Sequence, residues 1–481
     1  MLRHFELERF TGRRHDDKSM QPYYEACLAN AGITWDDVAA VIEPTASSAW
    51  SQRVSPDPPG WDSGWQHLGE VHRGGVAMLA GTSGEPVGER PLDRISHHMS
   101  HACYAFYTSP YAQARVVTMD GGGDCFYGPE HPQEAWIAGA SRGHFVHDFG
   151  GCIPHFRLEH PPGLENSTGG AWTTHALALT GNPNDAGTAM ALGTAACDHP
   201  LKESIRETQR RTHHLFQAHA RACAPFGAVV LGGGCALNGP AAHGLLQEGV
   251  AQHLWVPPAV NDGGLTVGAA LFAWCALLGR PREYHRADTI AFAGWDPGVG
   301  SMSRETATQV ALLIEAGGVV GVFQGRAESG PRALGHRSIL ATPTRPEMRA
   351  RINDIKGRQP YRPVAPATTA AFALEHFDLY DDVAYAFMTC IARSRPSAQG
   401  LIPAGLHDDG SARVQIATPQ SGLMDVLNAL ATMGCPPCVL NTSFNRRGQA
   451  MVHTPDQARE VARELELDAV VIGEEFEVLC T

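Results

Sequence analysis

One local pattern constrains this chain more than any other: an apolar strand, a cluster of glycines, then a run of small residues at helical spacing. It occurs in "ARVVTMDGGGD", in "GAVVLGGGCALNG", and again in "HLWVPPAVNDGGLTVGAALFAW". Strand, glycine turn and helix in succession predict an α/β domain. Each glycine turn leaves backbone N–H groups uncrowded by Cβ atoms, which suits an anion at a helix start. None ends in the GK[ST] of a P-loop, and a tight turn without a ligand would read the same way. Asp120 and Asp262 stand at such strand ends, where a carboxylate projects into a cleft rather than a core.

Just upstream lies "ISHHMSHACYAF", with His97, His98 and His101. Helical geometry puts His97 and His101 on one face and turns His98 elsewhere. Two imidazoles with two strand-end carboxylates suit a borderline divalent ion such as iron, manganese or zinc, and are too rich in nitrogen for calcium or magnesium. From spacing alone, ordinary core or surface histidines fit as well.

The chain has 481 residues, which predicts two domains. A net charge of −13 argues against non-specific nucleic-acid or anionic-membrane binding, though not against a local basic pocket. The charged start "MLRHFELERFTGRRHDDKSM" does not read as a signal peptide, and no run of about 18 apolar residues predicts a membrane span. Twelve cysteines without a signal peptide read as reduced thiols, so the expected compartment is the cytoplasm. Composition shifts over 279–300, "GRPREYHRADTIAFAGWDPGVG", which reads as a linker.

Beyond it, arginines accumulate beside Gly and Pro turns. "GRAESGPRALGHRSILATP" carries Arg326, Arg332 and Arg337; "INDIKGRQPYRPVAP" adds Lys356, Arg358 and Arg362; "HDDGSARVQ" adds His407, Asp409 and Arg413; "LNTSFNRRG" supplies Asn441, Thr442, Ser443 and Asn445. Converging guanidiniums suit phosphate or carboxylate. Structural ion pairs to Glu328, Asp354 and Asp409 are the competing reading. "CPPC" (435–438) runs straight into an apolar strand and reads as two incidental cysteines.

Taken in order, "HHMSHA", "TMDGGGD", "GGGCALN", "NDGGLTVGAAL", "GRAESGPRALGHRSIL", "NDIKGRQPYRPVAP", "HDDGSARVQ" and "LNTSFNRRGQAMV" resemble the O-carbamoyltransferases of nodulation and antibiotic pathways. The resemblance covers nearly the whole chain. It implies an actin/hexokinase-like N-terminal domain over 1–290, similar to the tRNA threonylcarbamoyl transferase subunit, and a smaller α/β carbamoyl-adenylate-forming domain over 291–481. It implies ATP and carbamoyl phosphate as substrates, iron(II) or another divalent metal, and transfer to a hydroxyl of a small secondary metabolite. By the same resemblance His97, His101, Asp120 and Asp262 are the metal ligands. Arg332, Lys356, Arg413 and Asn441 handle the carbamoyl phosphate and adenylate. Gly121, Gly122, Gly232, Gly233, Gly234, Asn238, Arg326 and His407 bind the nucleotide.

Two departures qualify it. By the resemblance a strand–turn–strand unit is expected ahead of "FELERFTGRRH", and its expected absence is read as a misassigned start or a real loss. A lysine expected before the Met-Gly-Leu step is replaced in "GTAMALGTAA" by Thr188 and Ala189, and "HPPGLENSTGG" is atypical. Both bear on transfer more than on activation. They motivate the alternative of a shortened, degenerate member that binds a partner or only turns over ATP and carbamoyl phosphate. A tRNA-modifying enzyme would share the metal motif, but the acidic charge and the "GPRALG" cluster oppose it. Neither nucleic acid nor membrane is expected as a partner, and a homodimer is left open.

Overall fold

The computed structural model describes residues 24–34, 37, 41–44, 92–95, 97–120, 144–150, 153–157, 175–180, 186–221, 227–277, 280–284 and 286–479. The chain forms two compact units. The front unit gathers the described parts of Ile33–Asn184 and Glu207–Arg286; the back unit gathers those of Met1–Gly32, Asp185–Arg206 and Ala287–Thr481. In chain order the helices used below are α1 (His97–Thr108), α2 (Ala186–Thr194), α3 (Lys202–Arg221), α4 (Gly239–Gln247), α5 (Leu265–Phe272), α6 (Arg304–Glu315), α7 (Met348–Ile355), α8 (Met424–Thr432) and α9 (Pro455–Glu464).

In the front unit β1 (Val41–Pro44) and β2 (Leu92–Ile95) pair in parallel. A five-stranded sheet follows, built from β3 (Gln113–Met119), β4 (His144–Gly150), β5 (Ile153–Arg157), β6 (Ala228–Gly232) and β7 (His253–Trp255), in the order β5-β4-β3-β6-β7. Strands β3, β4 and β5 make an antiparallel meander, and β6 and β7 continue it parallel to β3. The chain segments that follow the parallel strands therefore leave one edge of the sheet together, where ligands bind in open α/β sheets.

The back unit is built on a seven-stranded sheet. Its strands are β8 (Val320–Phe323), β9 (Arg337–Ala341), β10 (Ala365–Thr368), β14 (Gln415–Ile416), β15 (Cys438–Ser443), β16 (Ala469–Ile472) and β17 (Glu475–Val478), ordered β14-β10-β15-β9-β8-β16-β17. A smaller sheet of β11 (Phe377–Asp378), β12 (Ala392–Ser394) and β13 (Ser411–Ala412) flanks it in the chain. Successive strand side chains point to opposite faces, and both faces are covered. Val320, Val322, Ala469 and Val471 pack with Val310 and Ile314 of α6 and Val426 and Leu430 of α8. Phe323, Ile339, Val470 and Ile472 pack with Ile352 of α7 and Val461 of α9. That double covering explains the unbroken apolar runs of β8 and β16. Both units are α/β, as the strand–turn–helix pattern predicts.

The stretch read as a linker is not a plain one. Residues 287–291 form a helix, Phe292 stacks on His336 with ring centroids 4.0 Å apart, and Ile290 and Ala293 are buried. Among the described residues no helix is long and apolar enough to cross a membrane.

Candidate functional site: a carboxylate–imidazole cluster and a cationic pocket

In the front unit three of the four expected metal ligands converge. His101 lies buried on α1; its Nε2 is 2.8 Å from Asp120 Oδ2 and 3.4 Å from Asp262 Oδ1. The three ligand atoms all lie within 4.8 Å of one another. Asp120 directly follows β3, and Asp262 opens the turn that starts α5. The side chain of Asp262 is 68% exposed while that of His101 is fully buried, so the cluster opens to solvent on the carboxylate side. His97 sits one helical turn before His101 at the start of α1; its side chain lies outside the described residues, as do Gly121 and Gly122.

The glycines bring these ligands together. Gly233 has φ +87°, and a Cβ there would stand 2.2 Å from the Met119 carbonyl oxygen. Gly234 N donates to Asp120 Oδ2 at 3.3 Å. On α5 a Cβ at Gly268 would meet the Ser100 carbonyl oxygen at 1.9 Å, and one at Gly264 would meet Ala259 O at 2.2 Å and the Tyr104 ring at 2.6 Å. Only glycine lets α5 lie this close on α1, and Tyr104 Oη accepts from Ala259 N at 3.2 Å to fix the same contact. Close packing requires glycine at Gly233, and it crowds Gly232, where a Cβ would meet His101 O at 3.1 Å. Asn238 caps α4 by accepting from Ala241 N (3.1 Å) and exchanges two hydrogen bonds with Gln209, at 3.0 and 3.1 Å, so its side-chain amide is occupied by the protein.

Burial opposes charge on His101, but Asp120 and Asp262 outweigh it and lift the imidazole to about 9. A proton and a divalent cation therefore compete for one carboxylate-lined position. Burial and the Asp120 carboxylate push the Cys235 thiol above its usual range, and among the described residues an imidazole and two carboxylates lie close enough to share an ion. That set fits a borderline divalent ion.

The back unit assembles the opposite charge. Its "GPRALG" loop is folded by Glu328, whose Oε1 accepts from the amides of Leu334, His336 and Arg337, each at 2.9 Å. Burial opposes the charge on Glu328, yet His336 and Arg337 hold its carboxyl below the usual range. Arg332 is carried on this loop, half-buried. Arg337 is fully buried: it donates to the carbonyls of Gln324 (2.6 Å), His336 (3.0 Å) and Gly325 (3.2 Å), and lies 3.8 Å over the Phe323 ring. It belongs to the core.

Two expected ligand residues are engaged by the protein itself. Arg326 pairs with Asp296 (3.1 Å), a partner the sequence did not offer, and donates to Gly294 O (2.6 Å). The Lys356 ammonium donates to Ser443 O (2.6 Å), to Asn445 O and to Asn445 Oδ1 (2.6 Å). An ammonium has three donors, so in this geometry Lys356 ties the 443–445 loop instead of reaching outward. Asn441 Nδ2 donates to Ala333 O (3.1 Å) and to Gln415 Oε1 (2.8 Å), joining β15 to the "GPRALG" loop, while its buried Oδ1 has no partner among the described residues. Sequence reasoning gave Gln415 no role; its Nε2 donates to Leu334 O at 2.8 Å.

Arg413 differs from all of these. No ion pair or hydrogen bond holds its guanidinium among the described residues, and its Nε is buried. Burial and the adjacent Arg362 guanidinium push its pKa down to about 10. His407 is nearby, with Nδ1 2.9 Å from Ser411 Oγ; burial, then Arg413, push it to about 4, so it is neutral near pH 7. Asp409, the expected counter-charge, instead accepts from Ser411 N (2.9 Å) and Ser411 Oγ (2.6 Å). Two partly buried guanidiniums near enough to repel each other suit a multiply charged anion. Arg362 was named in the sequence but given no role; the clue was its place beside Pro in "YRPVAP".

The "CPPC" cysteines are both free thiols. Cys435 packs against the apolar core, and burial holds Cys438 well above the usual thiol range.

Residues 206–271 match the family described as "Carbamoyltransferase N-terminus", and residues 311–477 match "Carbamoyltransferase C-terminus". The first stretch contains the Gly232 turn, Asp262 and most of α5; the second contains the whole arginine cluster from Arg326 to Arg413. "Nodulation protein NolO" of Bradyrhizobium diazoefficiens is 30% identical over 436 residues, 79% of this chain and 78% of that protein. "Nodulation protein NolNO" of Sinorhizobium fredii is 29% identical over 82% of this chain and 65% of that protein. "Nodulation protein U" of Rhizobium tropici is 34% identical over 48% of this chain and 40% of its own length. With both family signatures in order and a relative matched across more than three quarters of each sequence, the chain belongs to the carbamoyltransferase family and is a carbamoyltransferase.

Proposed function

We propose that this enzyme uses ATP and carbamoyl phosphate to make carbamoyl-adenylate in the back unit, and then transfers the carbamoyl group to a hydroxyl of a small secondary metabolite in the front unit. The observation that carries this reading is Arg413, a guanidinium close enough to Arg362 to feel its charge and with no ion pair of its own among the described residues. An isolated buried charge is costly, and the phosphates of ATP and carbamoyl phosphate supply the missing negative charge.

The chemistry balances with one water. Carbamoyl phosphate yields carbamate and inorganic phosphate. A carbamate oxygen then bonds to the α-phosphorus of ATP as pyrophosphate leaves. The acceptor hydroxyl finally attacks the carbamoyl carbon, and AMP departs with the electrons of the broken bond. Arg413 and Arg362 serve the middle step by offsetting charge where two oxyanions approach. Neutral His407, at the same place, can accept a proton at Nε2. In the front unit His101, Asp120 and Asp262, with His97 from the preceding turn, would hold a divalent metal, of which iron(II) is the first expectation. Such an ion polarises a carbonyl or lowers the pKa of a bound hydroxyl. The family relationship to nodulation proteins and the net charge of −13 support a small hydroxylated acceptor over nucleic acid. A cytoplasmic enzyme is the proposed setting, on the reading of the twelve cysteines as reduced thiols.

The test is exchange of labelled pyrophosphate into ATP. Exchange that requires carbamoyl phosphate supports the reading, and exchange indifferent to it refutes adenylate formation. Steady AMP release with no carbamoylated product from any hydroxylated acceptor offered would favour the degenerate member.

A further inference from the structure

The segment 186–206 departs from the resembled family at Thr188 and Ala189, and the sequence ties that departure to transfer. The structure associates the segment with the back unit instead. Two contacts set its position. At its beginning, a Cβ on Gly187 would lie 3.6 Å from Arg362 Nη2, so the first turn of α2 rests against one guanidinium of the cationic pocket. Beyond the end of α2, Ala196 N donates to Asp408 Oδ2 at 2.8 Å, and Asp408 adjoins His407 in the chain. Asp408 is itself braced: its Oδ1 is 2.9 Å from Arg349 Nη1, which also donates to Leu406 O at 3.3 Å. The turn presenting Ala196 is closed by Lys202 Nζ, which donates to the carbonyls of Ala195 and Cys197, and α2 is tied to α3 by Arg206 Nε on Gly193 O at 3.2 Å.

The segment thus lies against Arg362 at its start and is held at its end by Asp408, the residue that follows His407 in the chain. From Ala186 to Ala196 it has no ionisable side chain. Thr188, Ala189 and Leu192 are fully buried. It brings cover, not charge.

We propose that Asp408 is a positioning residue that latches segment 186–206 along the cationic pocket and so keeps water from the activated carbamoyl group. This rests on the reading that the pocket makes carbamoyl-adenylate. The reaction prevented is hydrolysis: a water oxygen bonds to the carbamoyl carbon, the bond to the AMP phosphate oxygen breaks, AMP leaves, and carbamic acid forms as the proton passes to solvent. Excluding water is what protects such an intermediate.

The full-length protein is assayed without acceptor, measuring two rates in one preparation. Carbamoyl phosphate–dependent pyrophosphate exchange reports formation and reversal of the adenylate; AMP release reports its leak. Asp408→Ala is expected to raise the ratio of AMP release to exchange about tenfold, the scale of one hydrogen bond to a charged group. Asp408→Asn, which keeps an acceptor for Ala196 N, restores a ratio near that of the unaltered protein. If Asp408→Ala does not fold, Ala196→Pro removes the N–H without touching the carboxylate and is expected to raise the same ratio. A folded latch variant whose ratio stays unchanged, or whose two rates fall in parallel, overturns the latch while leaving the activation reading intact. An unaltered protein without carbamoyl phosphate–dependent exchange overturns the activation reading and the latch together.

Discussion

The two units solve opposite problems with the same backbone chemistry. The front unit draws two carboxylates onto one imidazole at strand ends; the back unit draws two guanidiniums together with a neutral imidazole beside them. The charge of the first suits a cation and that of the second an anion. They also differ in what holds them. The front ligands come from three distant stretches, and bare backbone contacts at Gly233, Gly264 and Gly268 seat them. The expected ligand residues of the back unit stand among buried polar links: Glu328 under the "GPRALG" loop, Asn441 with Gln415, and Lys356 under the 443–445 loop. A site built on missing Cβ atoms has little room to adjust, whereas one built on hydrogen bonds depends on every donor finding its acceptor.

The largest expected effect falls on the anion side. Arg413→Met should lower carbamoyl phosphate–dependent pyrophosphate exchange about a thousandfold, the scale of one lost electrostatic stabiliser, while calorimetric metal binding stays as it was. Exchange at an unaltered rate would remove Arg413 from activation. His101→Ala is the mirror experiment. Metal affinity should fall about a hundredfold or more, against about 10 to 100-fold for loss of an outer partner, with exchange retained. Loss of both properties would show that the two sites do not divide the work. Next is Gly268→Ala, whose new Cβ would meet the Ser100 carbonyl oxygen at 1.9 Å. Overpacking of this kind costs about 1–3 kcal/mol, so a melt should show a lowered midpoint, and a midpoint at or above that of the unaltered protein would contradict the close helix contact.

The smallest effect is a pH slope. Burial and Arg413 depress the His407 pKa to about 4, against an ordinary value near 6.5. Between those values the unfolded chain binds more protons than the folded one. Stability from this group is therefore full above about 6.5 and is lost as pH falls toward 4. His407→Gln should flatten the denaturation midpoint over that window, and an unchanged slope would place the imidazole in a more open setting.

Much of this was legible beforehand because it rests on spacing. His101 on a helix, Asp120 and Asp262 after apolar strands, and glycine at each turn follow from local pattern, and the structure brings the three ligands together. Long-range pairing was not legible. Arg326 reads as a ligand until Asp296, itself held through its backbone by Asn30, is found 3.1 Å away. Lys356 reads as a phosphate contact until the carbonyls of Ser443 and Asn445 surround it. Nor does anything near Ala196 in the chain announce its bond to Asp408, 212 residues on. Partners at such separations depend on how sheets and helices stack, which periodicity does not encode.

One residue of the supposed linker reaches the helix that carries His101. Arg282 donates to the carbonyls of Phe106 (2.6 Å), Ser109 (2.7 Å) and Tyr111 (2.7 Å), and its guanidinium lies 4.2 Å over the Phe106 ring. A cation over the last carbonyls of a helix complements its dipole. The far end of α1 is thereby sealed by a strand of chain from the 280s, and the helix bearing His101 is gripped at both ends. Whatever an ion orders at one end is then felt at the other, so slowed amide hydrogen exchange around 106–111 on metal loading would register occupancy at a distance, with no probe placed in the cleft.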